Sequence, residues 1–102
     1  MKRKVPEPIY RCSRICRVLG NPTAYEILSI LANGKQRPTA LSQHLKVSIP
    51  TISQALRSLR NLDLVRYENT AEGKYYSIKE GQLLEVMDGL TRVVRRQQRG
   101  EY

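Results

Sequence analysis

Only two residues, Val47 and Ser48, separate two stretches of helical period, and no other feature limits the fold of this chain so strongly. Before them, Leu41 and Leu45 stand four apart in a short run from about Thr39 to Lys46, with Thr39 as the expected N-cap. After them, Ile49, Ile52, Leu56 and Leu59 recur at the spacing that gathers side chains on one helix face, and Leu62 continues the stripe. Ser48 is placed to cap this second helix, with Pro50 in its first turn. So short a link forces a sharp angle between two helices, which is the spacing of a helix-turn-helix.

The flanking sequence supplies the rest of a small domain. Pro6 and Pro8 precede a first helix, roughly Ile9 to Leu19, whose Cys12, Ile15, Cys16 and Leu19 form one stripe. Gly20 is a candidate left-handed stop. Asn21-Pro22 then caps and starts a second helix carrying Ala24, Ile27, Leu28 and Leu31, which Asn33-Gly34 ends. Lys35 to Pro38 reads as a polar connection.

Beyond Asp63 the period falls to two. Leu64 to Glu68 and Lys74 to Ile78 alternate around the turn-rich loop Asn69–Gly73, which predicts a β-hairpin with Tyr76 and Ile78 on one side. From about Lys79 to Arg99 a helical rhythm returns in Leu83, Val86, Met87, Leu90, Val93 and Val94, the repeat of a helix-pairing seam. Gly89 in its middle suggests a close helix approach. The expected fold is mainly α with a small β-hairpin, about five helices in the order of a winged helix-turn-helix. The single domain divides into a first helical segment (1–20), a core with its wing (21–78) and a last helical segment (79–102).

Charge narrows the partner. Eighteen Lys and Arg against nine Asp and Glu leave +9 on 102 residues, a balance that suits a polyanion. With 40% apolar residues the chain is globular, and no apolar run exceeds three residues, so no membrane span and a cytoplasmic location are expected. Catalysis is poorly supplied. There is one histidine, His44, on the polar side of the short helix, and there is neither a phosphate-binding glycine loop nor a nucleophile elbow. The chain is expected to be no enzyme and to need no cofactor.

With Ile49, Ile52, Leu56 and Leu59 turned inward, the opposite face of helix 48–62 carries Pro50, Thr51, Gln54, Arg57 and Asn61, flanked by Ser53 and Arg60. A DNA major groove admits one helix, and its bases are read by short polar side chains and arginine. Gln54 matches adenine, Arg57 matches guanine or phosphate, and Thr51 offers a hydroxyl and a methyl. Around this helix, Lys35, Arg37, Lys46, Arg57, Arg60 and Arg66 face one acid, Asp63. In the wing, Arg66 and Lys74 are the expected phosphate contacts, while Glu72 opposes close insertion. Double-stranded DNA is therefore the expected partner. A winged-helix adaptor binding protein or RNA without reading sequence is the alternative.

Several segments resemble the ArsR-type bacterial and archaeal repressors. Leu19-Gly20-Asn21-Pro22-Thr23, followed by Glu26-Ile27-Leu28, is similar to that family's opening L-x-x-P-T-R-x-x-I-L, with Ala24 in the place of its arginine. Leu45 to Leu56 resembles its turn and recognition helix, with Ala55 where histidine is common. Leu62, Leu64-Val65 and Gly73-Lys74-Tyr75-Tyr76 resemble its wing. The resemblance implies a homodimeric repressor that joins its first and last helices and occupies a pseudo-palindromic operator. The implied seam holds Ile15, Leu19, Leu83, Met87, Leu90 and Val94.

The resemblance does not extend to the family's metal sites. Arg37 and Thr39 stand where its cysteine pair would enter the short helix, and the last helix has no histidine. Cys12 and Cys16 are four apart. They read first as small apolar residues of a packed, buried stripe, and otherwise as a pair for a soft ion or a redox couple. No metal site is expected, and no motif names an effector.

Overall fold

A computed structural model describes residues 3–100, with five helices and one hairpin in the expected order: α1 (Glu7–Leu19), α2 (Pro22–Leu31), α3 (Pro38–Leu45), α4 (Ile49–Asn61), β1 (Val65–Thr70), β2 (Gly73–Ile78) and α5 (Gln82–Arg99). Two helix starts follow directly from residue chemistry. The Asn21 side chain accepts a hydrogen bond from the Ala24 N–H at 3.0 Å, and the Ser48 hydroxyl accepts one from the Thr51 N–H at 3.3 Å. Each relieves one of the donors that a helix N-terminus leaves unpaired, and the proline that follows has no N–H to satisfy.

The remaining boundaries differ from the sequence expectation for local reasons. Helix α1 starts at Glu7, with Pro8 inside its first turn, where proline is tolerated. Thr39 is not a cap. Pro38 begins α3 and holds the preceding Arg37 extended, at φ −85° and ψ 152°. Gly20 is not left-handed: its φ is −72°, and the chain passes into α2 through an ordinary turn. Left-handed residues stand instead at Lys46 (φ 58°), which ends α3, at Asp63 (φ 59°), after α4, and at Gly100 (φ 74°), which ends α5. The turn between α3 and α4 closes by a bond from the Val47 N–H to the Ser42 carbonyl at 3.3 Å, and the Ser42 hydroxyl donates to the Val47 carbonyl.

The hairpin is longer and its turn tighter than the expected loop Asn69–Gly73. The strands pair antiparallel from Val65 opposite Ile78 out to Thr70 opposite Gly73, so only Ala71 and Glu72 lie between them. Gly73 takes φ +113°, a region that favours glycine. Lys35 to Pro38 also holds more than a connection. Gln36 exchanges two backbone hydrogen bonds with Tyr76, at 2.8 and 3.0 Å, and so ties the start of α3 to the hairpin.

The core is built from Ile27, Leu28 and Leu31 of α2, Leu41 of α3, Ile52, Leu56 and Leu59 of α4, and Leu64, Val65 and Tyr76 around the hairpin. Ile49 was expected on this face but is 41% exposed, because it opens the helix beyond the edge of the core. Helix α1 buries no residue fully, and only Ile15, Val18 and Leu19 pack against the core. Helix α5 buries only Leu83 and Met87. Val86, Leu90, Val93 and Val94 stay exposed, between 40% and 53%. At Gly89 an added Cβ would meet only the tip of Arg92, so no helix of the same chain approaches it closely. The radius of gyration, 15.6 Å, exceeds the ~13 Å of a compact 100-residue domain because the terminal helices stand away from the core.

Candidate nucleic-acid interface

Helix α4 divides cleanly by its period. Ile52, Leu56 and Leu59 are buried, while Thr51, Ser53, Gln54, Arg57, Arg60 and Asn61 are exposed on the other side. The Thr51 hydroxyl shares a hydrogen bond with the Ser48 hydroxyl at 2.8 Å, so it belongs partly to the cap. Gln54 engages the chain only through its backbone carbonyl, which accepts from the Ser58 hydroxyl at 3.2 Å. Among the described residues, no protein group pairs with the Gln54 amide or the Arg57 guanidinium. An arginine and an amide left unpaired on a rigid, capped helix carry their full donor and acceptor capacity to whatever docks there.

The strand period assigns the two wing cations to opposite faces. Lys74 lies on the face of Val65, Tyr67 and Tyr76, which turns toward α4, whereas Arg66 lies on the other face with Glu68 and Tyr75. The Lys74 ammonium sits 4.4 Å from the centre of the Tyr67 ring, and the Arg60 guanidinium lies 5.2 Å from the same ring. Lys74 and Arg60 are thus brought together beside α4, and Arg66 is not.

On the far face, Lys35 pairs with Glu68 at 3.2 Å, and Lys35 and Arg37 lie 5.1 and 5.9 Å from the Tyr75 ring. Arg37 also donates to the Glu72 carbonyl at 3.5 Å. The Glu72 carboxylate accepts from the Tyr75 hydroxyl at 3.1 Å, which holds the acid of the wing tip toward this face. Sequence reasoning missed Tyr67 and Tyr75 as organisers of these cations. Their alternation in the strands was visible, but the cations they gather come from other elements.

Cys12 and Cys16 were expected on a buried stripe. Both are exposed in the single chain, because the edge of α1 that packs inward is Ile15, Val18 and Leu19. They line an open apolar groove with Ile15, Leu19, Leu83 and Val86. Among the described residues, no three His, Cys, Asp or Glu side chains gather to hold a metal ion. No helix among them is long and apolar enough to cross a membrane.

The model of a family described as "Bacterial regulatory protein, arsR family" matches residues 21–67, the span of α2, α3, α4 and the start of the wing. No curated protein matches the chain. Solved structures share its fold. NolR from Sinorhizobium fredii is 24% identical with a TM-score of 0.80, over 91% of this chain and 96% of its own. Mb0332 from Mycobacterium bovis is described as a homodimeric winged helix-turn-helix DNA-binding domain and a possible ArsR-family regulator. It is 20% identical with a TM-score of 0.79, over 94% and 92% of the two chains. The transcriptional repressor BigR from Xylella fastidiosa is 20% identical with a TM-score of 0.77, over 83% and 87%.

A capped helix with an exposed polar face, entered through a tight turn and flanked by a basic wing, defines a winged helix-turn-helix DNA-binding regulator. The helix, its turn and the start of the wing are the part of the chain, residues 21–67, that is similar to the bacterial regulators of the arsR family.

Proposed function

We propose that this regulator is a cytoplasmic homodimeric repressor that occupies a pseudo-palindromic operator, with α4 of each protomer in the major groove. Gln54 and Arg57 read base edges there, with Ser53 and Thr51 beside them. Arg60 and Lys74 grip the backbone at the wing, and Arg66 contacts it more distantly. The exposed face of α4 carries this reading, because its Gln54 amide and Arg57 guanidinium, unpaired among the described residues, suit adenine and guanine on a helix that a groove can admit.

Dimerisation is supported by the apolar residues that the terminal helices leave uncovered, notably Leu90, Val93 and Val94 of α5 and the groove beside Cys12 and Cys16. Leu83 and Met87 already serve their own core, so their share of the seam is only the edge they show. Described likenesses point the same way, since Mb0332 is homodimeric and BigR is a repressor.

Salt-dependent binding to duplex DNA tests the reading. If each protomer neutralises about four phosphates, log K falls against log salt with a slope near ~−7. A slope near ~−1, or equal affinity for structured RNA, rejects groove binding and favours an adaptor.

A further inference from the structure

The arginines of α1 have no role in the interface described above. Arg14 and Arg17 lie one turn apart on the face opposite Cys12 and Cys16, and that face looks onto α4. Between the two helices runs a trough of about 330 Å³ bordered by Arg14, Arg17, Ser58 and Asn61. It continues into a second hollow of about 320 Å³, where Arg17 and Ser58 meet Thr51 and Gln54, the side chains assigned to base reading. Among the described residues, no Asp or Glu lines either hollow.

The charges are also uncompensated. Arg14 has only the ring of Tyr10, 6.0 Å away, and Arg17 has no side-chain partner among the described residues. Two guanidiniums on a concave polar wall, with the side-chain amides of Asn61 and Gln54 opposite and no carboxylate of the described residues lining it, match an extended anion. The trough opens onto the reading face of α4, so the anion that reaches it is the strand running along the same groove.

We infer that the trough between α1 and α4 seats the phosphodiester backbone flanking the bases read by α4, with Arg17 and Arg14 each neutralising one phosphate. This inference rests on the DNA-binding reading and extends the footprint to a helix otherwise assigned to dimerisation. The contacts are to backbone, so they add affinity without sequence preference.

The experiment measures binding of wild-type protein, Arg14→Ala, Arg17→Ala and Arg17→Lys to an operator duplex and a random duplex over a salt series. Sedimentation of each variant is run alongside. Each alanine variant is expected to remain a dimer and to weaken both duplexes by the same factor. Each removes two phosphate contacts per dimer, so the salt slope becomes shallower by ~1.8. Arg17→Lys is expected to keep the wild-type slope, because a point charge still displaces one counterion. A steep wild-type slope that both alanine variants leave unchanged overturns the trough and spares the reading of α4. Loss confined to the operator duplex, or loss of the dimer, also overturns it. A shallow wild-type slope overturns the groove-binding reading itself, and the trough with it.

Discussion

The ammonium of Lys74 rests 4.4 Å from the centre of the Tyr67 ring, and that ring is shared with Arg60 of α4 at 5.2 Å. One aromatic side chain therefore joins the wing to the helix it accompanies. The ring also packs on Tyr76, 5.5 Å between centres and tilted by 44°, so it is fixed from the core side as well. Exposed cation–π contacts are worth about 0.5–1 kcal/mol each. Tyr67→Leu is expected to lower the unfolding free energy by about 1–2 kcal/mol, and Tyr67→Phe, which keeps the ring, by much less. Urea unfolding of the two variants checks this. Equal losses would place the effect in the hydroxyl rather than the ring face.

Among the described residues no protein group pairs with the Gln54 amide or the Arg57 guanidinium, so removing either side chain leaves the fold intact and takes away only what it would touch. Gln54→Ala and Arg57→Ala are each expected to cost about 1–3 kcal/mol on the preferred duplex and much less on random DNA. Lys74→Ala is expected to weaken both duplexes nearly equally, as a phosphate contact does. Selection of bound sequences with each variant provides the test. An unchanged preference after both α4 substitutions would reassign the reading helix.

Leu90 separates a lone chain from a dimer. It is 44% exposed in the single protomer, where a charged replacement costs little. In a seam between protomers, Leu90→Glu buries an unpaired carboxylate at a cost of about 3–5 kcal/mol. Sedimentation is expected to show dimeric wild-type protein and a monomeric variant with weakened DNA binding. A wild-type monomer at micromolar concentration ends the dimer proposal.

Cys12 and Cys16 provide an independent view of the same surface. Both are exposed in the single chain, beside the groove of Leu19, Leu83 and Val86. If the dimer covers that groove, a bulky thiol reagent reacts slowly with wild-type protein and readily with the Leu90→Glu monomer. The double substitution Cys12→Ser and Cys16→Ser is expected to bind DNA normally. Tenfold release of wild-type protein from DNA by a thiophilic ion or mild oxidant, absent in the double variant, would instead make the pair a sensor.

What the chain determines by itself is local. Asn21 and Ser48 start their helices because a short polar side chain reaches an unpaired N–H three residues on. Val47 and Ser48 leave no room between α3 and α4, and the spacing of Ile52, Leu56 and Leu59 decides which side of α4 faces out. These outcomes depend on neighbours within about one helical turn, and period and capping encode them directly. The tertiary structure decided which distant residues meet. It divided the apolar rhythm of α5 between its own core, which took Leu83 and Met87, and a surface left to Val86, Leu90, Val93 and Val94. It brought Lys74 and Arg60 to one ring, sent Arg66 to the other face, and laid Arg14 and Arg17 against α4. Such meetings depend on the angles at which packed elements cross and on strand register, and both are set by the whole core rather than by any one segment.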